Sequence, residues 1–102
     1  MCRAVRIDLV AAQYEVWLDE TFPFSKIKVK VIERRSWDYL GVANVAVRGR
    51  ISGEPEFISG LGATVDEALQ DAVMRFLQEA AKNMPAAGFR EEDFVWSACE
   101  EF

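Results

Sequence analysis

The chain contains no histidine. That absence removes the commonest general base and the commonest metal ligand. A Ser-His-Asp triad and a Cys-His pair are both excluded. Cysteine is scarce too, with only Cys2 and Cys99. Two cysteines without histidine cannot assemble the usual four-ligand zinc site, so no metal site and no cofactor is expected. So few cysteines do not make a disulfide framework. They are read as free thiols of a reducing compartment, with a Cys2–Cys99 link as the alternative. Long apolar runs are also missing. None approaches the ~20 residues a membrane helix needs, and Asp8 interrupts the N-terminal apolar stretch that a signal peptide would require. A cytoplasmic protein with no membrane contact is the expectation.

What is present suits one domain spanning residues 1–102, of which 51% are hydrophobic. The net charge is −5, which argues against a nucleic-acid protein acting through bulk charge. The distribution is uneven. Lys26 to Arg50 holds seven basic residues against two acidic ones, a net of +5, whereas the remainder has five against fifteen, a net of −10.

Hydrophobic periodicity supplies the elements. Val5, Ile7 and Leu9 alternate with Arg6 and Asp8, a strand pattern. Ala11 to Gln13 reads as a bend or bulge, after which Tyr14, Val16 and Leu18 alternate with Glu15, Trp17 and Asp19. Asp19 to Phe24 reads as a loop. In "SKIKVKVIERR", Ile27, Val29 and Val31 take one face and Lys26, Lys28 and Lys30 the other. A turn over Ser36 to Asp38 leads to a strand from Tyr39 to Ile51. It carries Val45, Val47 and Ile51 on one face and Asn44, Arg48 and Arg50 on the other. "SGEP" is a turn before a short strand from Glu56 to Leu61. Thr64 and Glu67 then form a capping box. Val65, Ala68, Leu69, Ala72, Val73, Phe76, Leu77 and Ala80 make an apolar stripe at helical spacing. Pro85 stops the helix near Asn83. The acidic aromatic tail "FREEDFVWSACEEF" fits helix or strand, and a short helix is favoured. Strands followed by a helix predict an α+β fold: an antiparallel sheet of four to five strands, with one long helix (about Thr64–Asn83) on one face and a short C-terminal element.

Three features invite a chemical reading. Gly60 and Gly62 precede a helix N-terminus, a place where anions bind. The Gly-Lys-Ser/Thr of a phosphate loop is missing, however, and Asp66 and Glu67 repel an anion. The glycines are better read as permitting a tight strand-to-helix turn. Glu91, Glu92 and Asp93 offer adjacent carboxylates, but on a terminal tail these read as solvated. No catalytic constellation emerges, so a non-enzymatic protein is expected.

Gly60, Gly62, Thr64, Ala68, Ala72 and Val73 follow the framework of a double-stranded RNA-binding domain, which the stretch from about Tyr39 to Ala81 resembles. The likeness covers less than half the chain. It implies a β-β-β-α arrangement with small residues where helix meets sheet. Where that family places RNA-contacting lysines, this chain has Val65, Asp66 and Leu69, so phosphate contact at the helix start is not implied. "TVDEALQDA" also looks like the sheet-covering helix of HicB-type antitoxin domains, although their Pro-Asp-x-Pro-Gly stretch is absent.

The remaining candidates are surfaces. Lys28, Lys30, Arg48 and Arg50, with Trp17, are expected on one water-facing sheet surface. That surface suits an acidic protein partner, or single-stranded nucleic acid through phosphate contact and stacking. A solvated face with cross-strand pairs to Glu15, Glu54 or Glu56 is the plain alternative. Phe94, Trp96 and Phe102 are candidate interface anchors, with the acidic tail lying over the basic face of its own or a second chain. A tail that merely completes the core is the competing reading. The favoured function is a dimeric protein–protein contact domain; the alternatives are a nucleic-acid-binding module and a small-molecule-binding domain.

Overall fold

The computed structural model describes residues 9–97 and Phe102. Cys2, Cys99 and all but the last residue of the strand expected over Cys2–Leu9 lie outside the described residues. The fold is α+β: the described residues form seven strands in two antiparallel sheets and one long helix. In chain order the elements are β1 (Leu9–Trp17), β2 (Lys26–Glu33), β3 (Tyr39–Ala43), β4 (Val45–Arg48), β5 (Pro55–Glu56), β6 (Ser59–Gly62), α1 (Val65–Lys82), a 3₁₀ turn at Glu91–Asp93, and β7 (Phe94–Trp96). One sheet has the order β1-β2-β3-β6 and the other β5-β4-β7.

The alternation in β2 does what its residue types demand. Ile27, Val29 and Val31 are buried under the helix. β1 pairs with β2 along its whole length, with a register shift between Val10 and Ala12. The bulge lies where the alternation in the sequence breaks.

The strand expected from Tyr39 to Ile51 is divided at Asn44. Before it the chain pairs with β2 and β6; after it, with β5 and β7. Asn44 serves both sheets. Its N–H donates to the Lys28 carbonyl (2.9 Å) and its carbonyl accepts from the Ser97 N–H (2.8 Å). Its side-chain oxygen accepts from the Lys28 N–H (3.0 Å). Ile51 is not a strand residue facing the core. It sits in the turn between Gly49 and Glu54, fully exposed, because that turn takes the chain out of the pleat.

Helix α1 begins at Thr64, whose hydroxyl accepts from the Glu67 N–H (3.2 Å). The Glu67 carboxylate reaches back to Ala63 rather than to Thr64 (3.2 Å), so the expected box is displaced by one residue. Asn83 closes the other end. Its N–H donates to the carbonyls of Glu79 and Ala80, and its side-chain oxygen holds the Arg50 N–H (3.0 Å). Ala68, Ala72, Phe76 and Ala80 face the sheet and are buried.

Glycine sets how closely the helix approaches. A Cβ at Gly60 would stand 2.2 Å from the Ala72 nitrogen, and one at Gly62 2.4 Å from the Ala68 nitrogen. The alanine stripe of α1 therefore rests on bare backbone of β6.

The core joins the two sheets. Ile27, Val29 and Ala43 meet Val45, Val47, Phe76 and Phe94 in one cluster. Phe22 and Phe24 from the loop after β1, with Phe89, close it from below. Phe22 stacks on Phe76 at 5.8 Å and on Phe89 at 5.6 Å, and Phe24 meets Phe94 edge-on at 4.8 Å. Offset and edge contacts of this kind add roughly 0.5–1.5 kcal/mol per pair beyond area burial.

Candidate functional site

The face of the four-stranded sheet turned away from the helix carries the residues that the alternation assigned to water. Across β1 and β2, Trp17 lies opposite Lys26, Glu15 opposite Lys28, and Gln13 opposite Lys30. The Lys26 ammonium sits 5.1 Å from the Trp17 ring centroid and also pairs with the Glu15 carboxylate. The Lys26 hydrogen bond and charge hold Glu15 below the usual carboxylate range, and Lys28 adds to the effect. Lys30 is buried to 7% exposure, with its ammonium 4.8 Å from the Phe102 ring.

Arg48 and Arg50 do not join this group. Arg48 has the outward parity of Asn44, but it stands four residues beyond the point where the sheet divides, ~13 Å along the strand. Its guanidinium donates to the carbonyls of Glu92 (3.1 Å) and Gly53 (3.0 Å), tying two loops together. Arg50 lies in the turn that follows, its N–H held by Asn83. The structure thus brings Trp17, Lys28 and Lys30 together and places the two arginines elsewhere, because the chain changes partners at Asn44 without changing parity.

The tail residues separate as well. Residues 94–96 form a strand rather than a helix, pairing with β4. Phe94 is buried in the core at 5% exposure, and Trp96 meets Phe24 edge-on at 4.8 Å while remaining 43% exposed. Phe94 completes the core of its own chain and is not on the surface. The Phe102 ring, over Lys30, lies on the outer sheet face.

Two surfaces not foreseen from the sequence stand out. The first is the β2–β3 hairpin. The Arg34 N–H donates to the Asp38 carbonyl, and the Trp37 N–H to that of Arg34. Arg34 grips the Asp38 carboxylate through two hydrogen bonds of 2.8 Å, and Ser36 adds a third of 2.7 Å. Those bonds, Arg34 first, lower the Asp38 carboxyl to about 2. Trp37 adopts φ 66°, a left-handed conformation that costs a bulky residue about 1–2 kcal/mol. Its ring is 84% exposed. With Leu9, Glu33, Arg34 and Arg35 it lines an open groove of about 430 Å³. This groove lies at the opposite end of β2 from Trp17.

The second surface is the β1 wing. The helix rests chiefly on β6 and β3 and reaches β2. Leu9, Val10, Tyr14 and Trp17 of β1 remain exposed. The two edges of the sheet are treated differently. At β6, the Leu61 N–H is capped by the Asp71 carboxylate at 2.9 Å, and this bond, ahead of the Arg75 pair, holds Asp71 below its usual range. At β1, no described residue pairs with the outer edge. Dimensions alone signal this arrangement. One helix is about 10–12 Å across with side chains, and four strands spaced about 4.8 Å apart are wider than that.

Among the described residues, no group of three or more acids or cysteines is placed to hold a metal ion, and no helix is long and apolar enough to cross a membrane. No family model, curated protein or solved structure matches the chain.

Proposed function

We propose that this chain is a small non-enzymatic domain that acts through protein–protein contact, with the β1 wing as its contact surface. One observation carries the reading: an edge strand of nine residues, Leu9–Trp17, extends past the cover of the helix with apolar and aromatic side chains exposed. Exposed apolar surface beside an open strand edge is the combination that proteins bind by adding a strand. The likeness to double-stranded RNA-binding and HicB-type domains enters only as an analogy of fold.

The basic-face alternative has less to support it. Binding to a single-stranded nucleic acid needs a row of cations tracking the backbone. Here Lys26 is engaged with Glu15 and Trp17, Lys30 is largely buried, and Arg48 holds two carbonyls. The groove described above is lined by Trp37 at the other end of β2, so it lends no support to a small-molecule site centred on Trp17.

The test is native isolation of the tagged chain followed by hydrogen exchange of whatever complex it forms, with itself or with another protein. Slowed exchange at the outward amides of β1 is expected. A chain that forms no complex, or one whose complex leaves β1 exchange unchanged, would overturn the reading.

A further inference from the structure

The occupant of the β1 edge follows from the composition of the strand. We infer that β1 pairs antiparallel with β1 of a second copy, across a two-fold axis at Tyr14, to give one continuous eight-stranded sheet. The inference rests on the reading of the β1 wing as the contact surface and specifies its partner.

Edge strands are ordinarily protected by lysine, proline, brevity or a covering element. "LVAAQYEVW" has nine residues, no proline and no lysine. Its one charge, Glu15, is already engaged by Lys26. The bulge at Ala11 spoils pairing only at one end and leaves Ala12 to Trp17 regular. The β6 edge, by contrast, is short, lies under the helix and is capped by Asp71. Only one of the two edges is left open among the described residues.

The regular segment is self-complementary about Tyr14. With the axis at Tyr14, the tyrosines of the two copies face each other on the helix side of the sheet. Ala12 then stands opposite the second copy's Val16, a small residue against a larger one. Gln13 stands opposite the second copy's Glu15, an amide donor against a carboxylate. Moving the axis to Gln13 sets Glu15 against the bulged Ala11 and interrupts the ladder. Moving it to Glu15 places two carboxylates directly opposite, which is destabilising.

The helix flank fits the same arrangement. Asp71 lies on the side of α1 toward β6, where it holds Leu61. Leu69, Val73 and Leu77 recur at four-residue spacing on the opposite flank, toward β1. Leu69 and Val73 pack against the core, and Leu77 is 42% exposed. In the paired sheet both helices lie on one face, and their apolar flanks border the strip occupied by the two tyrosines. A closed two-fold contact of this kind is the commonest form of homo-oligomer.

Sedimentation of the full chain gives the first readout: a species of twice the 11.5 kDa chain mass is expected, reverting to monomer in Tyr14→Lys. Tyr14 is exposed, so that variant should keep its far-UV circular dichroism. A second readout fixes the register. In a Cys2→Ser, Cys99→Ser background, Tyr14→Cys should cross-link to itself under a short bis-maleimide at least tenfold faster than Ile51→Cys in the exposed turn. A chain that stays monomeric at every concentration, a dimer indifferent to Tyr14→Lys, or equal cross-linking at the two positions would overturn the inference. If the chain is monomeric but a different protein slows exchange at β1, this inference falls and the broader reading stands. If nothing slows exchange at β1, both fall.

Discussion

Replacing Gly60 by alanine adds a single methyl group and should nevertheless be among the most damaging changes the fold can suffer. The new Cβ would lie 2.2 Å from the Ala72 nitrogen, 2.7 Å from its Cα and 2.7 Å from the Asp71 carbonyl carbon. Ordinary carbon contacts begin near 3.5 Å, so helix and strand must part by more than about 1 Å. All three obstructing atoms are backbone, and no rotamer change relieves them. Parting the pair also opens the neighbouring close contacts at Gly41 and Gly62, since a gap of 0.5–1 Å already forfeits a quarter to a half of the dispersion attraction. Overpacking typically costs 1–3 kcal/mol. The rigidity of both elements places Gly60→Ala at the upper end, about 3 kcal/mol, or roughly 12–24 °C in Tm for a domain of this size. Urea unfolding followed by tryptophan fluorescence would measure it, with an unchanged slope showing that only stability moved. Gly53→Ala is the control. Gly53 has φ 72° and no atom within 4 Å of the added methyl, so it should lose only the backbone contribution, about 1–2 kcal/mol. If Gly60→Ala cost no more than Gly53→Ala, the helix would not rest on bare strand backbone as described.

Trp37→Gly should stabilise the chain by about 1 kcal/mol through relief of the left-handed conformation, read as a rise in the urea midpoint; an unchanged or lower midpoint would mean that the exposed ring makes contacts worth as much. Asn44→Ala should cost about 0.5–1.5 kcal/mol, because it removes the side-chain acceptor of the Lys28 N–H where the sheets divide, and exchange at Lys28 should accelerate more than in the middle of β2. The pH dependence has a defined sign. The Asp38 carboxyl titrates at about 2 in the folded chain, below its ordinary value of 3.8, so its stabilising effect is complete above that ordinary value and is lost as the pH falls toward 2. Thermal scans across that window should show a steeper acid loss for the parent than for Asp38→Asn; parallel curves would refute the role given to the Arg34–Asp38 grip.

Much of the scaffold could be read from the chain, for physical reasons that also explain the rest. Thr64 and the stripe from Ala68 to Ala80 reveal α1 because capping and a 3.6-residue period are local properties. β2 is equally plain, since its lysines and β-branched residues alternate without error. The division at Asn44 is invisible, because Gly41, Ala43, Val45 and Val47 keep one parity straight through it. Alternation reports which face a residue takes and is silent on which strand lies beside it. For that reason the alternation alone sets Arg48 beside Lys28. Phe94 and Trp96 suit either period over three residues, and only pairing with β4 decides. The alternation sets Tyr14 on the inward face with Val16 and cannot mark it as exposed, because its exposure depends on the width of the sheet relative to the helix, a tertiary quantity.

The place of β7 has a bearing on how the chain acquires its shape. Val45 meets Trp96, and Val47 meets Phe94, across roughly half the length of the polypeptide, and Phe89 and Phe94 supply part of the aromatic seal around Phe22 and Phe24. During synthesis the hairpins and the helix can form while this seal is still missing, which leaves a greasy opening toward the solvent. Until residues 89–96 have emerged, the nascent domain is a vessel without its stopper, and that interval is when chaperones or premature aggregation would find it.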